Sequence, residues 1–279
     1  MRVPSSDGVE VVVHDLGGSG PLVLMSHATG FLGYAWRPVA DYLAPRGFHC
    51  VALDYRGHGD TVAPADWQVA WNGYGDDVTA VAEVLVEPGG IVGVGHSMGG
   101  AGLMMAALRH PGLFRALLVY EPIVMPPDGL GSVEQSPLAT GARRRRSSFP
   151  SFEDAIANYS SKPPLQVFTP ESMHAYVHGG FRLGTDGHVH LKCTPEHEAR
   201  TFEASTSHDT WAHLREIDCP VWVVSGIPLA TQPSNVARPI AEQLPDSRYL
   251  EFDDLDHFGP MSHPARIAEL VAEMVATLP

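Results

Sequence analysis

One short motif contains a residue that can act as a nucleophile. Ser97 lies in the pentapeptide GHSMG at 95–99, which follows an apolar run at 91–94 and precedes a helix-permitting stretch. The order strand, Gly-x-Ser-x-Gly, helix predicts a nucleophile elbow, a sharp turn that exposes the serine hydroxyl. Such a turn brings neighbouring backbone close, so the flanking positions must be small, as these glycines are. The motif predicts nucleophilic catalysis, which also requires a general base and a group that orients the base.

The rest of the chain contains the elements that position such an elbow. Short β-branched runs alternate with longer helical patterns, which predicts a mostly parallel sheet with crossover helices. The predicted strands are 9–14, 22–26, 50–54, 91–94, 116–120, 221–225 and 249–252, and the predicted helices are 36–43, 76–86, 101–108, 236–244 and 265–278. We therefore expect an α/β core of residues 1–125 and 214–279, with its central sheet flanked by helices.

The segment 126–213 interrupts this alternation. It has Pro-rich turns, no clear buried strand, and helical patterns at 152–159 and 170–177. We interpret it as a helical lid, or cap, inserted over the carboxyl ends of the strands. Open α/β sheets bind ligands at that edge.

Composition and charge narrow the class of partner. The chain has 279 residues and a formal net charge of -14, which argues against binding to nucleic acid or anionic membranes. Cys50, Cys193 and Cys219 lack metal-type spacing and predict free thiols. No signal-peptide pattern or membrane-length apolar run is visible. We expect a cytoplasmic protein with a small-molecule substrate and no nucleic-acid or membrane partner; a homodimer stays open.

Four motifs together resemble the α/β-hydrolase superfamily over nearly the whole chain. They are SHATGF at 26–31, DYRGHG at 54–59, GHSMGG at 95–100 and DHF at 256–258. The resemblance implies the α/β-hydrolase fold, with Ser97 as nucleophile. It also implies that the catalytic base is His257, which follows the strand predicted at 249–252 and so comes after the serine in chain order. The other two histidines near the elbow, His27 and His96, are interpreted as packing residues.

The acid of the triad departs from the common family pattern. In most relatives an Asp follows the strand matched here by 221–225, but the loop 226–233 has no carboxylate, and Leu229 aligns best with the expected position. Some members take the acid from the end of the preceding strand, which here is followed at once by Glu121. The resemblance therefore implies a Ser97-His257-Glu121 triad, in which the anion fixes the histidine tautomer. Asp254 and Asp256 are rivals, although both lie very near His257 in sequence.

The resemblance also implies an oxyanion hole made of two backbone N–H groups, those of Met98 and Thr29. Such donors stabilise the charge that develops on the carbonyl oxygen. Relatives have His-Gly where this chain has His27-Ala28, and alanine tolerates fewer backbone angles, so the loop shape is open here. The Thr29 hydroxyl is a third potential donor.

Five further residues are candidates for contact with substrate on the basis of residue type and position. An apolar or aromatic acyl or alcohol group would suit a lining of aromatic side chains, and the run at 143–146 is either a solvated helix face or a site that recognises an anion. The candidates are Phe31, Trp36, Arg143, Arg146 and Tyr159. We expect no metal, because His174 and His178 lack a third ligand, and no cofactor.

The predicted activity is hydrolysis of a carboxylic ester, thioester or lactone through an acyl-enzyme. The serine argues against haloalkane dehalogenase and epoxide hydrolase activity, since those members use an aspartate nucleophile. Two alternatives stay open. One keeps the triad but cleaves a carbon–carbon bond or transfers the acyl group, and the other is a ligand-binding member without turnover.

Overall fold

An eight-stranded, mostly parallel sheet forms the centre of the molecule. The computed structural model describes residues 1–126, 136–229 and 232–278. The strands in chain order are β1 (Arg2–Pro4), β2 (Glu10–Gly18), β3 (Leu22–Ser26), β4 (His49–Asp54), β5 (Ile91–His96), β6 (Phe114–Tyr120), β7 (Ser148–Phe149), β8 (Phe181–Leu183), β9 (Val189–Leu191), β10 (Val221–Ser225) and β11 (Ser247–Glu251). The central sheet has the order β1-β2-β4-β3-β5-β6-β10-β11. Strand β2 pairs antiparallel with β1 and β4, and the remaining pairs are parallel.

The central strands are apolar because helices cover both faces of the sheet. Every residue of β3, β5 and β10 is buried, as expected for parallel strands packed on two sides. The helices are α1 (Arg37–Leu43), α2 (Trp71–Leu85), α3 (Met98–Arg109), α4 (Pro137–Arg143), α5 (Phe152–Ser160), α6 (Pro170–Gly180), α7 (Pro195–Glu203), α8 (Thr210–His213), α9 (Ser234–Gln243), α10 (Gly259–Ser262) and α11 (Pro264–Thr277). Helices α2, α3 and α9 contribute to the core on one face, and α1 and α11 to the core on the other. This arrangement confirms the predicted α/β class.

Helix α2 begins five residues before the predicted start. Its first turns contain Gly73 and Gly75, which lower intrinsic helix propensity. Both positions pack too closely for a side chain: a Cβ at Gly73 would lie 2.8 Å from an Arg56 nitrogen, and one at Gly75 would lie 2.9 Å from the Met105 Cβ. Tertiary packing therefore favours a helix where local propensity does not.

The cap, defined here as residues 136–213, combines helices α4–α8 with a small sheet that the sequence did not predict. The two helical patterns correspond to α5 and α6, but β7, β9 and β8 form a three-stranded antiparallel sheet between the cap helices. These strands have two or three residues each, too few to show a hydrophobic period. Residues 127–135 of the predicted insertion lie outside the described residues.

The cap packs on the core through one apolar cluster. It joins the loop after β3 to cap helices α5 and α6, the cap sheet and Met261 of α10. The cap thus contacts the loop predicted to form the oxyanion hole. Among the described residues, no helix is both long and apolar enough to cross a membrane. The three cysteines are free thiols, as predicted, and all are buried.

A buried ion pair fixes the loop that follows β4. The guanidinium of Arg56 is fully buried and donates to the equally buried carboxylate of Asp77 in α2, with a shortest N–O distance of 2.8 Å. It also contacts Asp7 at 2.8 Å, whose side chain is 54% exposed. The same guanidinium therefore has one partner inside the protein and one at the surface.

Asp77→Asn should destabilise the fold far more than Asp7→Asn. The first change leaves a buried cation without its anion, which typically costs about 3–5 kcal/mol. The second removes a half-exposed pair, worth about 1 kcal/mol or less. Urea unfolding of the two variants beside the wild type measures the difference in the free energy of unfolding. Equal losses would contradict the assignment of Asp77 as the principal partner.

Candidate active site

Ser97 occupies the sharp turn between β5 and α3. Its backbone has φ 58° and ψ -117°, a conformation that side chains other than glycine rarely adopt and that costs on the order of 1–3 kcal/mol. Hydrogen bonds hold this conformation: the Ser97 N–H donates to the Tyr120 carbonyl at 2.9 Å, and the Ser97 carbonyl accepts from the N–H of Ile123 at 3.2 Å. The elbow is thereby tied to the end of the neighbouring strand β6.

The two glycines of the motif are required by close backbone contacts. A Cβ at Gly95 would lie 2.7 Å from the Gly100 Cα, and one at Gly99 would lie 2.1 Å from the Ser26 carbonyl oxygen. Backbone at both places cannot move aside without shifting α3 or β3. The turn therefore brings the start of α3 against the end of β3, where the loop that contains Thr29 begins.

His257 and Glu121 form the polar contact expected of a base and its orienting acid. The His257 Nδ1 lies 2.6 Å from the Glu121 Oε2. Because a carboxylate only accepts, Nδ1 carries the proton, and the basic nitrogen of the neutral ring is Nε2. The second carboxylate oxygen, Oε1, accepts from the Gly226 N–H at 2.9 Å. Both oxygens of the buried acid are therefore engaged.

Glu121 directly follows β6 and has an unusual backbone of its own, with φ 43°. Its N–H donates to the Val224 carbonyl of β10 at 2.8 Å. The side chain is 1% exposed. Backbone bonds to one neighbouring strand and the side-chain bond to Gly226 thus fix where the carboxylate lies, between the ends of β6 and β10.

The rival acids are engaged elsewhere. Asp254 pairs with Arg266 at 2.7 Å, and Asp256 accepts from the Phe258 N–H at 2.8 Å. Leu229, at the position where most relatives have the acid, is 53% exposed. Of the carboxylates considered from the sequence, Glu121 is the one that contacts His257.

Two side chains position the loop of His257 by bonding to its backbone. The Tyr120 hydroxyl donates to the Asp256 carbonyl at 2.5 Å, and His96 Nε2 bonds to the His257 carbonyl at 2.8 Å. Burial lowers the pKa of His96 well below its usual range. Its ring is therefore neutral, with the proton on Nε2, and its buried Nδ1 has no partner among the described residues. His96 thus has a structural contact that sequence reasoning assigned only to packing.

The Ser97 hydroxyl and the His257 ring, both within the described ranges, are not joined by a hydrogen bond. Ser97 follows β5, and the His257 backbone and ring contact His96, the residue before it, with the two imidazole centroids 4.8 Å apart. Contacts between nucleophile and base are often long in the absence of substrate. The base is therefore oriented by its acid and its loop beside the elbow.

Thr29 and Met98, the predicted oxyanion donors, lie side by side. The Thr29 hydroxyl donates to the Met98 sulfur at 3.4 Å. Met98 is the first residue of α3, so its N–H has no partner within the helix, and the Thr29 N–H bonds to no described residue. Gly30 follows with φ 77°, and the turn closes with a bond from the Phe31 N–H to the Ala28 carbonyl at 3.1 Å. Two N–H groups are therefore available next to Ser97.

Aromatic side chains surround this region. Phe31 contacts His96 at 6.0 Å between ring centroids and Tyr176 of the cap at 5.0 Å. It also contacts Phe168 at 6.0 Å and Phe258 at 6.3 Å. The structure thus brings Phe31 to the elbow, together with aromatic residues of the cap and of the His257 loop. Phe168, Tyr176 and Phe258 were not candidates, because only the fold brings them together.

The structure does not bring Trp36 to the site. Its side chain is fully buried in the core between the sheet and helices α1 and α11. Trp36 directly precedes α1, and the helix packs this face against the sheet. The prediction of substrate contact rested on proximity in sequence to Phe31, which a change of chain direction separates from the core.

The arginine run divides between surface and interior. Arg143 pairs with Glu196 and Glu203 at the surface, and Arg146 is exposed and bonds to the Ser148 carbonyl. Neither is brought to the elbow. The residue between them that turns inward, Arg145, was not singled out, because four consecutive arginines give no signal of which one is buried.

Tyr159 is part of the cap interior. Its hydroxyl accepts from Arg145 at 3.2 Å, and the guanidinium lies 5.6 Å from its ring centroid. It therefore reaches the oxyanion loop only through Arg145, and its predicted contact with substrate is unsupported by any direct contact with the elbow.

One group of side chains has the spacing of potential metal ligands. His14, Asp54 and Asp60 each place one ligand atom within 4.8 Å of the others. The Asp54 carboxylate already accepts from the Gly33 N–H at 2.7 Å, from the Asp60 N–H at 2.8 Å and from His14 at 2.8 Å, and Asp60 pairs with Lys192. These bonds satisfy Asp54 as a structural residue of the turn after β4.

Comparison with known proteins agrees with this geometry. A curated bifunctional esterase/perhydrolase DCH from Acinetobacter calcoaceticus is 26% identical over 286 aligned residues, covering 95% of each chain. Two solved structures have similar folds: E-2-(acetamidomethylene)succinate hydrolase, with a TM-score of 0.81, 20% identity and 99% and 98% of the two chains covered, and a thermophilic esterase from Thermogutta terrifontis, with a TM-score of 0.73, 21% identity and 99% and 97% covered.

The family model described as the Alpha/beta hydrolase family matches residues 11–270. The match spans the elbow, the Glu121 strand end and the His257 loop, and it includes the cap. The chain therefore belongs to the Alpha/beta hydrolase family.

Proposed function

We propose that this protein is a serine hydrolase that cleaves a carboxylic ester, thioester or lactone of a small, largely apolar molecule through an acyl-enzyme. The observation that carries the proposal is the 2.6 Å contact between His257 Nδ1 and Glu121 Oε2, with Ser97 on a strained elbow beside them. A buried anion on one imidazole nitrogen leaves the other as a base, which is the arrangement that activates a serine.

The reaction balances with the chain's own groups. The Ser97 hydroxyl attacks the carbonyl carbon while its proton passes to His257 Nε2, and Glu121 stabilises the imidazolium that forms. The N–H groups of Met98 and Thr29 bind the oxygen that becomes negative. The tetrahedral intermediate expels the alcohol, thiol or ring oxygen, which takes the proton from His257. Water, deprotonated by His257, then cleaves the acyl-enzyme and restores Ser97, so no cofactor is required.

An apolar acyl or alcohol group fits the surroundings of the site. The cluster around Phe31 consists of aromatic and aliphatic side chains from the core loop and the cap, and such linings favour apolar ligands. The name of the Acinetobacter relative, an esterase and perhydrolase, supports ester chemistry. Carbon–carbon cleavage and acyl transfer use the same triad, so a substrate screen decides between these reactions and ester hydrolysis.

A fluorophosphonate should label the wild-type protein once and should not label Ser97→Ala. The phosphorus centre is attacked only by an activated hydroxyl, and Ser97 is the residue that the elbow exposes to a base. Intact-mass measurement of both proteins reads the adduct directly.

Circular dichroism of both proteins is the control for folding. A single adduct that persists in folded Ser97→Ala would assign the reactive group elsewhere and contradict the proposal. The absence of an adduct on folded wild-type protein would instead favour the ligand-binding alternative without turnover.

Glu121→Gln should lower kcat/KM for an ester that the wild type cleaves by about 100-fold or more. Glutamine keeps the size of the side chain and an acceptor for the Gly226 N–H. It removes the anion that fixes the tautomer of His257 and stabilises the imidazolium. Steady-state kinetics with a chromogenic short-chain ester provides the measurement.

Asp254→Asn is the matched control, since Asp254 is a rival acid in sequence whose partner is Arg266. We expect its kcat/KM to remain within about 3-fold of wild type, because surface ion pairs contribute little. Normal turnover in Glu121→Gln together with a large loss in Asp254→Asn would reverse the assignment of the acid.

A further inference from the structure

A polar cluster of the cap lies directly against the loop that contains Thr29. A Cβ built on Gly30 would be 2.4 Å from the Glu198 Oε1 and 3.3 Å from an Arg145 nitrogen. The Gly30 carbonyl accepts from the Tyr176 hydroxyl at 3.3 Å. Glu198 lies in α7 and Tyr176 in α6, so two cap helices meet at one residue of the core loop. Gly30 is the residue next to the proposed oxyanion donor.

Arg145 orients this cluster because it can only donate hydrogen bonds. One guanidinium nitrogen donates to Glu198 at 2.5 Å, and another donates to the hydroxyls of Tyr176 at 2.6 Å and Tyr159 at 3.2 Å. The Arg145 and Glu198 side chains are 16% and 8% exposed, so water replaces few of these bonds. A charged pair with this little solvent needs its full set of partners.

The direction of each bond follows from the chemistry of the groups. Tyr176 accepts from the guanidinium, so its single hydroxyl proton is free to point to another acceptor, which is the Gly30 carbonyl. Burial raises the pKa of Tyr176, so the hydroxyl keeps this proton at neutral pH. Arg145 therefore determines the orientation of the Tyr176 hydroxyl, and that hydroxyl contacts the core loop.

The conformation of Gly30 determines where the Thr29 N–H points. Its φ of 77° turns the chain back, so that the Phe31 N–H reaches the Ala28 carbonyl. Glycine has access to many other backbone angles, so the loop depends on outside contacts to keep this one. The Glu198 contact on the Cα and the Tyr176 bond on the carbonyl restrict the residue from two sides.

We propose that Tyr176, oriented by the Arg145–Glu198 pair, is a positioning residue that holds the Thr29–Gly30 turn and thereby aims the Thr29 N–H at the oxyanion. This proposal rests on the proposed function. A different role for Arg145, binding a substrate carboxylate, is disfavoured because its donors already bond to Glu198, Tyr159 and Tyr176.

Tyr176→Phe tests the proposal by removing one hydroxyl while keeping the ring in its aromatic cluster. We expect kcat for a neutral ester to fall about 10- to 100-fold, as for misplaced transition-state groups, with KM within about 2-fold of wild type. Hydrogen exchange of the backbone amides, followed by mass spectrometry of a peptide covering 27–36, should be faster than in wild type.

Tyr74→Phe is the matched control. The Tyr74 hydroxyl is equally buried, bonds to Thr201 of the cap at 2.8 Å and also joins core to cap, but it has no contact with Gly30. This variant loses a comparable hydrogen bond, so we expect a similar fall in thermal midpoint. We also expect kcat within about 2-fold of wild type and unchanged exchange of the 27–36 peptide.

The outcomes separate this proposal from the proposed function. An active wild type with Tyr176→Phe unchanged in kcat and exchange overturns the positioning role alone, as does an equal loss of kcat in both variants. A preference for anionic over neutral esters that Arg145→Met abolishes would favour carboxylate binding and also overturn it. A wild type without turnover or labelling overturns the proposed function, while faster exchange confined to Tyr176→Phe still supports the restraint on Gly30.

Discussion

The hydrogen bond from the Ser97 N–H to the Tyr120 carbonyl joins the ends of β5 and β6, and the candidate site depends on it. The residues that follow these strands, Ser97 and Glu121, both have positive φ values, 58° and 43°. Two non-glycine residues in this region are costly, and a flexible loop would relax them. Here the parallel strands on either side provide fixed bonds, so the strain is retained and both side chains are presented at the same edge of the sheet.

The same constraint accounts for the unusual acid. Neighbouring strands lie about 4.8 Å apart, so moving the carboxylate from the end of β10 to the end of β6 brings it one strand nearer the elbow. Glutamate at this position reaches His257 while its second oxygen bonds to the Gly226 N–H, at the start of the loop where most relatives place the acid. The loop after β10 therefore contributes a backbone donor in place of a carboxylate.

The cap contributes to the site in two different ways. Phe168 and Tyr176 add apolar surface beside Phe31, whereas Arg145 and Glu198 add a charged pair that is held away from water. An ion pair in this setting gives little net stability, but it has strict directional requirements. Its geometric effect is to fix where the Tyr176 hydroxyl points, and so to restrain one glycine of the core. Arg56 and Asp77 have a comparable role beneath the loop after β4.

The sequence by itself determined the class of fold, the elbow, and the order in which nucleophile, acid and base follow the strands. These features depend on local patterns: apolar β-branched runs, glycines that flank a serine, and a carboxylate directly after a strand. Tertiary structure decided the rest. It placed Trp36 in the core rather than at the site, selected Arg145 from a run of four arginines, and formed the cap sheet from strands too short to show a period. In each case the deciding contacts join residues far apart in the chain, such as Arg145 with Glu198, and no local pattern encodes which of several similar side chains a distant segment will cover.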